Sequence, residues 1–278
     1  MFVRSVFFTF LIVVVARLGV SPGRAADIPF RFENGMIWVK VAIAGHDRPL
    51  DFLLDSGASA TVVDLQTAHD LGLKLGDAQA IQGVHARGTA YRVSRFEGSA
   101  GGNPLPATPL AIDLSPVSAG CSHKIDGLLG ADFFRGHIVL VDFAASRVRL
   151  LSSAQSTAGE VLPISLRSGA ICISASVGDR SPAWMRVDTG CNSAVEFAPA
   201  SGGLAGVRGE SIAVAPKLVS NVRDTVQLGS VRMEEIKVGM HAKPIFPGES
   251  GLLGAGLLSR FKSVTFDMVS RRLILVKI

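Results

Sequence analysis

Apolar residues fall in short runs along most of the chain, sometimes alternating with polar ones, and Gly, Pro, Asp and Asn break the runs at close intervals. Ile37 to Gly45 (IWVKVAIAG) and Pro49 to Asp55 (PLDFLLD) read as consecutive strands, because β-branched and other apolar residues dominate them. Gly45 to Arg48 supplies the turn between them. Val62 to Lys74 (VVDLQTAHDLGLK) is expected to hold a short helix, and few other segments keep a 3.6-residue period. Short strands divided by Gly-rich turns predict a mainly β protein.

The chain also repeats itself, and a repeat constrains the fold more than any local pattern does. A shift of 133 residues (188 minus 55) lays Val41–Val63 over Ser174–Glu196 without a gap. Gly45 meets Gly178, Pro49 meets Pro182, and Asp55-Ser56-Gly57 meets Asp188-Thr189-Gly190. Further on, IDGLLGADFF from Ile125 recurs as SGLLGAGLLS from Ser250, at an offset of 124 residues (251 minus 127). Each copy is followed by a strand-like run, HIVLVDF or SVTFDM. Both halves thus read strand, turn, strand, D-[ST]-G, variable segment, GLLG, strand, terminal strand. Two similar lobes are expected, residues 27–155 and 156–278, joined near the small polar stretch Ser152–Glu160.

Composition narrows the setting. Hydrophobic residues make up 48% of the chain, enough to bury a sizeable core. Charged residues are only 18% and form no Lys-rich or acidic block, so no nucleic-acid partner is expected. Residues 1–26 have the order of a secretory signal: Arg4, the eleven-residue apolar run Val6–Ala16, then a small-residue end at Ala25-Ala26. Eleven residues are too few to cross a bilayer, which takes about 20. An exported, periplasmic or secreted chain is expected, cleaved near Ala25 or Ala26. The lesser alternative is a membrane anchor through an uncleaved segment, since Arg17 directly follows the apolar run. Arg4, Arg17 and Arg24 are the only charges there, so the formal +5 falls to +2 (5 minus 3) without the leader and implies no polyanionic partner. Three cysteines, Cys121, Cys172 and Cys191, are an odd number for an exported chain, and no metal-site spacing joins them to the six scattered histidines.

One D-[ST]-G is a common turn tripeptide. Two copies at matched places in two similar halves are harder to explain as turns, because a pseudo-twofold pair of lobes would bring the two loops together and set Asp55 against Asp188. Two carboxylates at close range cannot both ionise easily, so the pair holds one proton over a working range. The charged member then takes a proton from a water held between them while the protonated member donates to a substrate carbonyl. Gly57 and Gly190 allow a close backbone approach, and the hydroxyls of Ser56 and Thr189 are placed to hydrogen-bond across the interface.

On FLLDSGAS, RVDTGCN and the two GLLG segments, the chain resembles an aspartic protease of the pepsin-like and retropepsin-like superfamily, of the bacterial type with two lobes in one polypeptide. The resemblance extends in order over roughly residues 27–278. It implies two homologous β-barrel-like lobes related by pseudo-twofold symmetry, with Asp55 and Asp188 as the catalytic pair and the GLLG elements as scaffold behind them. It also implies a polypeptide substrate, a monomer, and no metal or organic cofactor. Ala58 and Cys191 stand where pepsin-like members carry Ser or Thr, which predicts a pH optimum at weak acid or near neutrality. A flap hairpin is expected over Ile81–Val93, with Gly83, His85 and Arg87 toward its tip and Tyr91 either a substrate contact or a strand residue.

The rival reading is a non-catalytic peptide-binding protein that retains the two-lobed cleft, although both aspartates are intact. No G-x-S-x-G elbow occurs for a serine hydrolase, and Gly251–Gly256 lacks the spacing of a dinucleotide loop. Cys191 as a nucleophile needs a base that no histidine supplies from sequence alone.

Overall fold

The computed structural model describes residues 27–83, 87–153, 158–198, 211–212, 218–242 and 244–278. The chain is mainly β, with helices confined to short segments between strands. Ile28–Glu33 and Met36–Ile43 form an antiparallel hairpin about Asn34-Gly35, both at positive φ (54° and 75°), the turn chemistry that suits the twist of paired strands. Met36–Ile43 then pairs antiparallel with Leu50–Leu54 after the expected turn. The expected short helix is Leu65–Asp70, capped by the Asp64 carboxylate accepting from Thr67 N–H at 3.1 Å.

In the second half, six strands close on themselves. Ala170–Val177, Ala183–Asp188, Gly251–Gly254, Val195–Phe197, Val231–His241 and Leu218–Leu228 pair in that order, and Ser176 opposite Gln227 completes the ring. Strands of the first half follow a comparable path that continues into a sheet shared by both halves. There Ile138–Asp142 pairs antiparallel with Phe261–Asp267, from Ile138 opposite Asp267 to Asp142 opposite Ser263. This sheet joins the halves and carries part of a core that includes Phe134, Val139, Val141, Val264 and Phe266.

Helices account for the departures from the sequence reading. Ala131–Phe134 and Ala255–Leu258 form one helical turn each between the GLLG strands and the strands expected directly after them. Ser115–Cys121 is a further helix, with Pro116 in its first turn and Ser122 in the left-handed conformation at its end. All three cysteines are free thiols; Cys172 is buried and the Cys121 sulfur lies 3.7 Å from that of Met36. No described helix is long and apolar enough to cross a membrane.

Candidate active site

Each aspartate ends a buried strand that runs parallel to a GLLG strand. Leu50–Leu54 lies beside Gly127–Leu129, with Phe52 opposite Gly127 and Leu54 opposite Leu129, and Asp55 N–H donates to the Leu129 carbonyl at 2.9 Å. Ala183–Asp188 lies beside Gly251–Gly254, with Arg186 opposite Leu252 and Asp188 opposite Gly254. The loops beyond are held from behind, where Ala131 N–H donates to Ala58 O and Ala255 N–H to Cys191 O, each at 2.7 Å. A side chain at the last glycine of either GLLG has no room. A Cβ on Gly130 would lie 2.3 Å from the Ala60 carbonyl, and one on Gly254 would lie 2.1 Å from Ser193 O.

The two loops meet. Ser56 N–H donates to Thr189 Oγ1 at 2.9 Å and Thr189 N–H donates to Ser56 Oγ at 3.1 Å. Each hydroxyl passes its own proton on across the interface, Ser56 Oγ to Val187 O and Thr189 Oγ1 to Leu54 O, both at 2.7 Å. Four buried hydrogen bonds therefore lock the strand ends together and engage both backbone N–H groups and both hydroxyls of the two residues. The lock presses each glycine onto the opposite carboxyl. A Cβ on Gly57 would fall 2.3 Å from Asp188 Cγ, and one on Gly190 would fall 2.5 Å from Asp55 Cγ. Gly57→Ala and Gly190→Ala are each expected to displace a carboxyl and to slow about a hundredfold any reaction that needs the two carboxyls in register. The check is kcat beside a thermal melt; wild-type kcat in a folded variant would show that the approach does not matter.

Asp55 and Asp188 are 6% and 1% exposed, and burial raises both carboxyls above the usual carboxylate range. Asp188 lies well above it, because burial is reinforced by the charge of Asp55. Asp55 is raised less, because Oδ1 accepts from Ala58 N–H at 2.9 Å and from Gly57 N–H at 3.0 Å, bonds that favour its ionised form. Asp188 accepts one such bond, from Gly190 N–H at 2.9 Å, and its buried Oδ2 faces no donor. An oxygen with no donor beside it is the better seat for a proton. The geometry therefore favours an ionised Asp55 beside a protonated Asp188.

The remaining residues singled out from the sequence lie elsewhere. Leu75–Gly83 and Arg87–Val93 pair as an antiparallel hairpin, with Gly83 and Arg87 at the strand ends. His85 lies outside the described residues. Tyr91 is half-buried within the second strand, opposite Ala78 and Ala111, and packs against the main core. Burial and the neighbouring Asp188 carboxylate push the Cys191 thiol up, away from the thiolate a nucleophile needs. His241, the one histidine buried in this half, is held by a Glu196 carboxylate.

Two residues beside the loops went unnoticed in the sequence. Arg186, two positions before Asp188, and Glu249, two before the second GLLG, form a buried ion pair. The signal was a mismatch in the repeat, since the matching first-half positions are Leu53 (186 minus 133) and Ile125 (249 minus 124).

No curated protein matches the chain. Residues 39–133 match a family model described as aspartyl protease, a stretch that holds Asp55, the hairpin and the first GLLG strand but ends well before Asp188. That match supports an aspartyl protease family for this chain.

Proposed function

We propose that the chain is an aspartic endopeptidase of two homologous lobes, residues 27–155 and 156–278, related by a pseudo-twofold axis that passes between Asp55 and Asp188. The observation that carries this reading is the reciprocal contact of the two loops, which seats each carboxyl against the glycine of the other. The repeat of parallel strand, loop and GLLG in both halves supports the two-lobed description. Ionised Asp55 takes a proton from a water between the carboxyls, and the oxygen of that water attacks the peptide carbonyl carbon. Asp188 gives its proton to the carbonyl oxygen, so a neutral gem-diol forms without a covalent enzyme intermediate. Collapse of that species passes a proton to the leaving nitrogen and breaks the C–N bond. The substrate is a polypeptide lying extended along the cleft under the Leu75–Val93 hairpin, held through its backbone as an added strand. Ser56, Gly57, Thr189 and Gly190 keep the carboxyls in register. Export through the leader at residues 1–26, which lie outside the described residues, belongs to the same reading.

Peptide hydrolysis across pH tests it. Activity requires one proton on the pair, so the acid limb follows Asp55, which is raised above the ordinary carboxylate value, and the alkaline limb follows Asp188, raised further. A bell with its maximum at weak acid or near neutrality is expected. A maximum below about pH 3, where ordinary carboxylic acids are already protonated, would contradict it.

A further inference from the structure

The buried pair beside the loops breaks the symmetry of the repeat. Arg186 has no exposed surface; its Nε and Nη2 donate to the two oxygens of Glu249, each at 2.8 Å. Its Nη1 reaches into the other half and donates to the carbonyl of Gly57 at 2.9 Å. The Phe246 ring covers the guanidinium, with Cζ 3.3 Å from the ring centre. In the first half the matching positions hold Leu53 and Ile125, both buried in one apolar cluster with Leu128. An apolar pair therefore suffices to pack this place in the fold. A buried ion pair packs it at a higher desolvation cost and is often no more stabilising than apolar side chains. What the pair adds is a directed bond to the loop that holds Asp55 and a positive charge close to both carboxyls.

We propose that Arg186, oriented by Glu249, is a positioning residue for the paired carboxylates: it ties the Asp55 loop to the Asp188 strand through the Gly57 carbonyl. This rests on the protease reading as far as the reaction is concerned, although the tie itself is independent of it. The fork fixes the direction of the third bond, since Glu249 holds the Nε–Nη2 edge of the planar guanidinium and the Phe246 ring lies over it. Its charge favours the ionised form of both carboxyls. Among the described residues, the other ionisable groups around this cluster include Cys172, which lies against Glu249 and feels the charge of Arg167, and Cys191 beside Asp188, with Glu196 and its partner His241 near it.

The test compares wild type with Arg186→Leu/Glu249→Ile, which copies the first half, and with Arg186→Lys, which keeps the charge but not the fork. Arg186→Leu alone is unsuitable because it leaves Glu249 buried and unpaired. Carboxyl carbon NMR titration of Asp55 and Asp188 is read beside kcat and KM on one peptide. In the double variant both titrations are expected to move to higher pH and kcat to fall about tenfold with little change in KM. In Arg186→Lys the titrations stay near wild type while kcat falls, because a single point charge cannot hold Glu249 and Gly57 together. A folded double variant with wild-type titrations and wild-type kcat overturns the proposal. If the double variant does not fold, unchanged kcat in Arg186→Lys overturns it. A wild type that cleaves no peptide removes the protease reading instead, and the carboxyl titrations then decide the positioning role alone.

Discussion

Asp55→Asn and Asp188→Asn are each expected to lower kcat/KM for peptide cleavage by a factor on the order of 10³ or more, with the fold retained. The two substitutions fail for different reasons. An amide at Asp55 cannot accept the proton of the attacking water. An amide at Asp188 still presents a donor but cannot give up its proton and recover it in each turnover. Because the two carboxyls act as one unit, the double variant is expected to lose little more than either single one. Stability should move the opposite way. A carboxyl raised in the folded state contributes stability that is complete below its unfolded value and is lost as pH rises through its folded value. Asp188→Asn removes that loss, so its melting temperature is expected to exceed that of wild type at neutral and higher pH. A pH series of melts read beside kcat/KM checks both. Retained cleavage in Asp188→Asn would remove the paired-carboxylate mechanism.

The second large effect belongs to the lock beneath the loops. Thr189→Val keeps the shape of the side chain but takes the acceptor from Ser56 N–H and the donor from the Leu54 carbonyl, both buried. Two orphaned backbone groups cost about 3 kcal/mol together. Ser56→Ala strands Thr189 N–H and the Val187 carbonyl in the same way and is expected to cost a similar amount. The residues belong to one network, so the double variant should be less destabilised than the sum of the singles. Thr189→Ser keeps the hydroxyl and is expected to stay within about 1 kcal/mol of wild type, the loss being one buried methyl. Denaturant unfolding of the four variants measures this. Near-neutral Thr189→Val would mean that the loops are held by packing and not by these bonds.

Much of this lock is legible in the sequence, for a physical reason. A D-[ST]-G triplet is short, so one copy carries little information, but its recurrence with GLLG in the same order ties it to a three-dimensional arrangement that both halves must share. The hydroxyls of Ser56 and Thr189 then had one place to point. Other features were not legible because their causes lie outside any local window. Ala131–Phe134 and Ala255–Leu258 are single helical turns, too short to show a 3.6-residue period. The pairing of Ile138–Asp142 with Phe261–Asp267 joins strands more than a hundred residues apart, and no alternation of apolar residues names the partner strand. Tyr91 was open between two roles because its neighbour in space, Ala111, comes from a strand the pattern did not place against the hairpin. Arg186 is a charged residue in the strand Ala183–Asp188, and only its contacts with Glu249 and Gly57 give that charge a purpose.

The central claim is that Asp55 and Asp188 together hydrolyse peptide bonds. The measurement that reaches it most directly is digestion of a diverse peptide mixture from about pH 3 to 7, read by mass spectrometry, with wild type beside Asp188→Asn. New peptide termini with wild type that vanish with the amide variant are the predicted result. A folded wild type that leaves the mixture intact across this range would contradict it and favour the reading of peptide binding without cleavage.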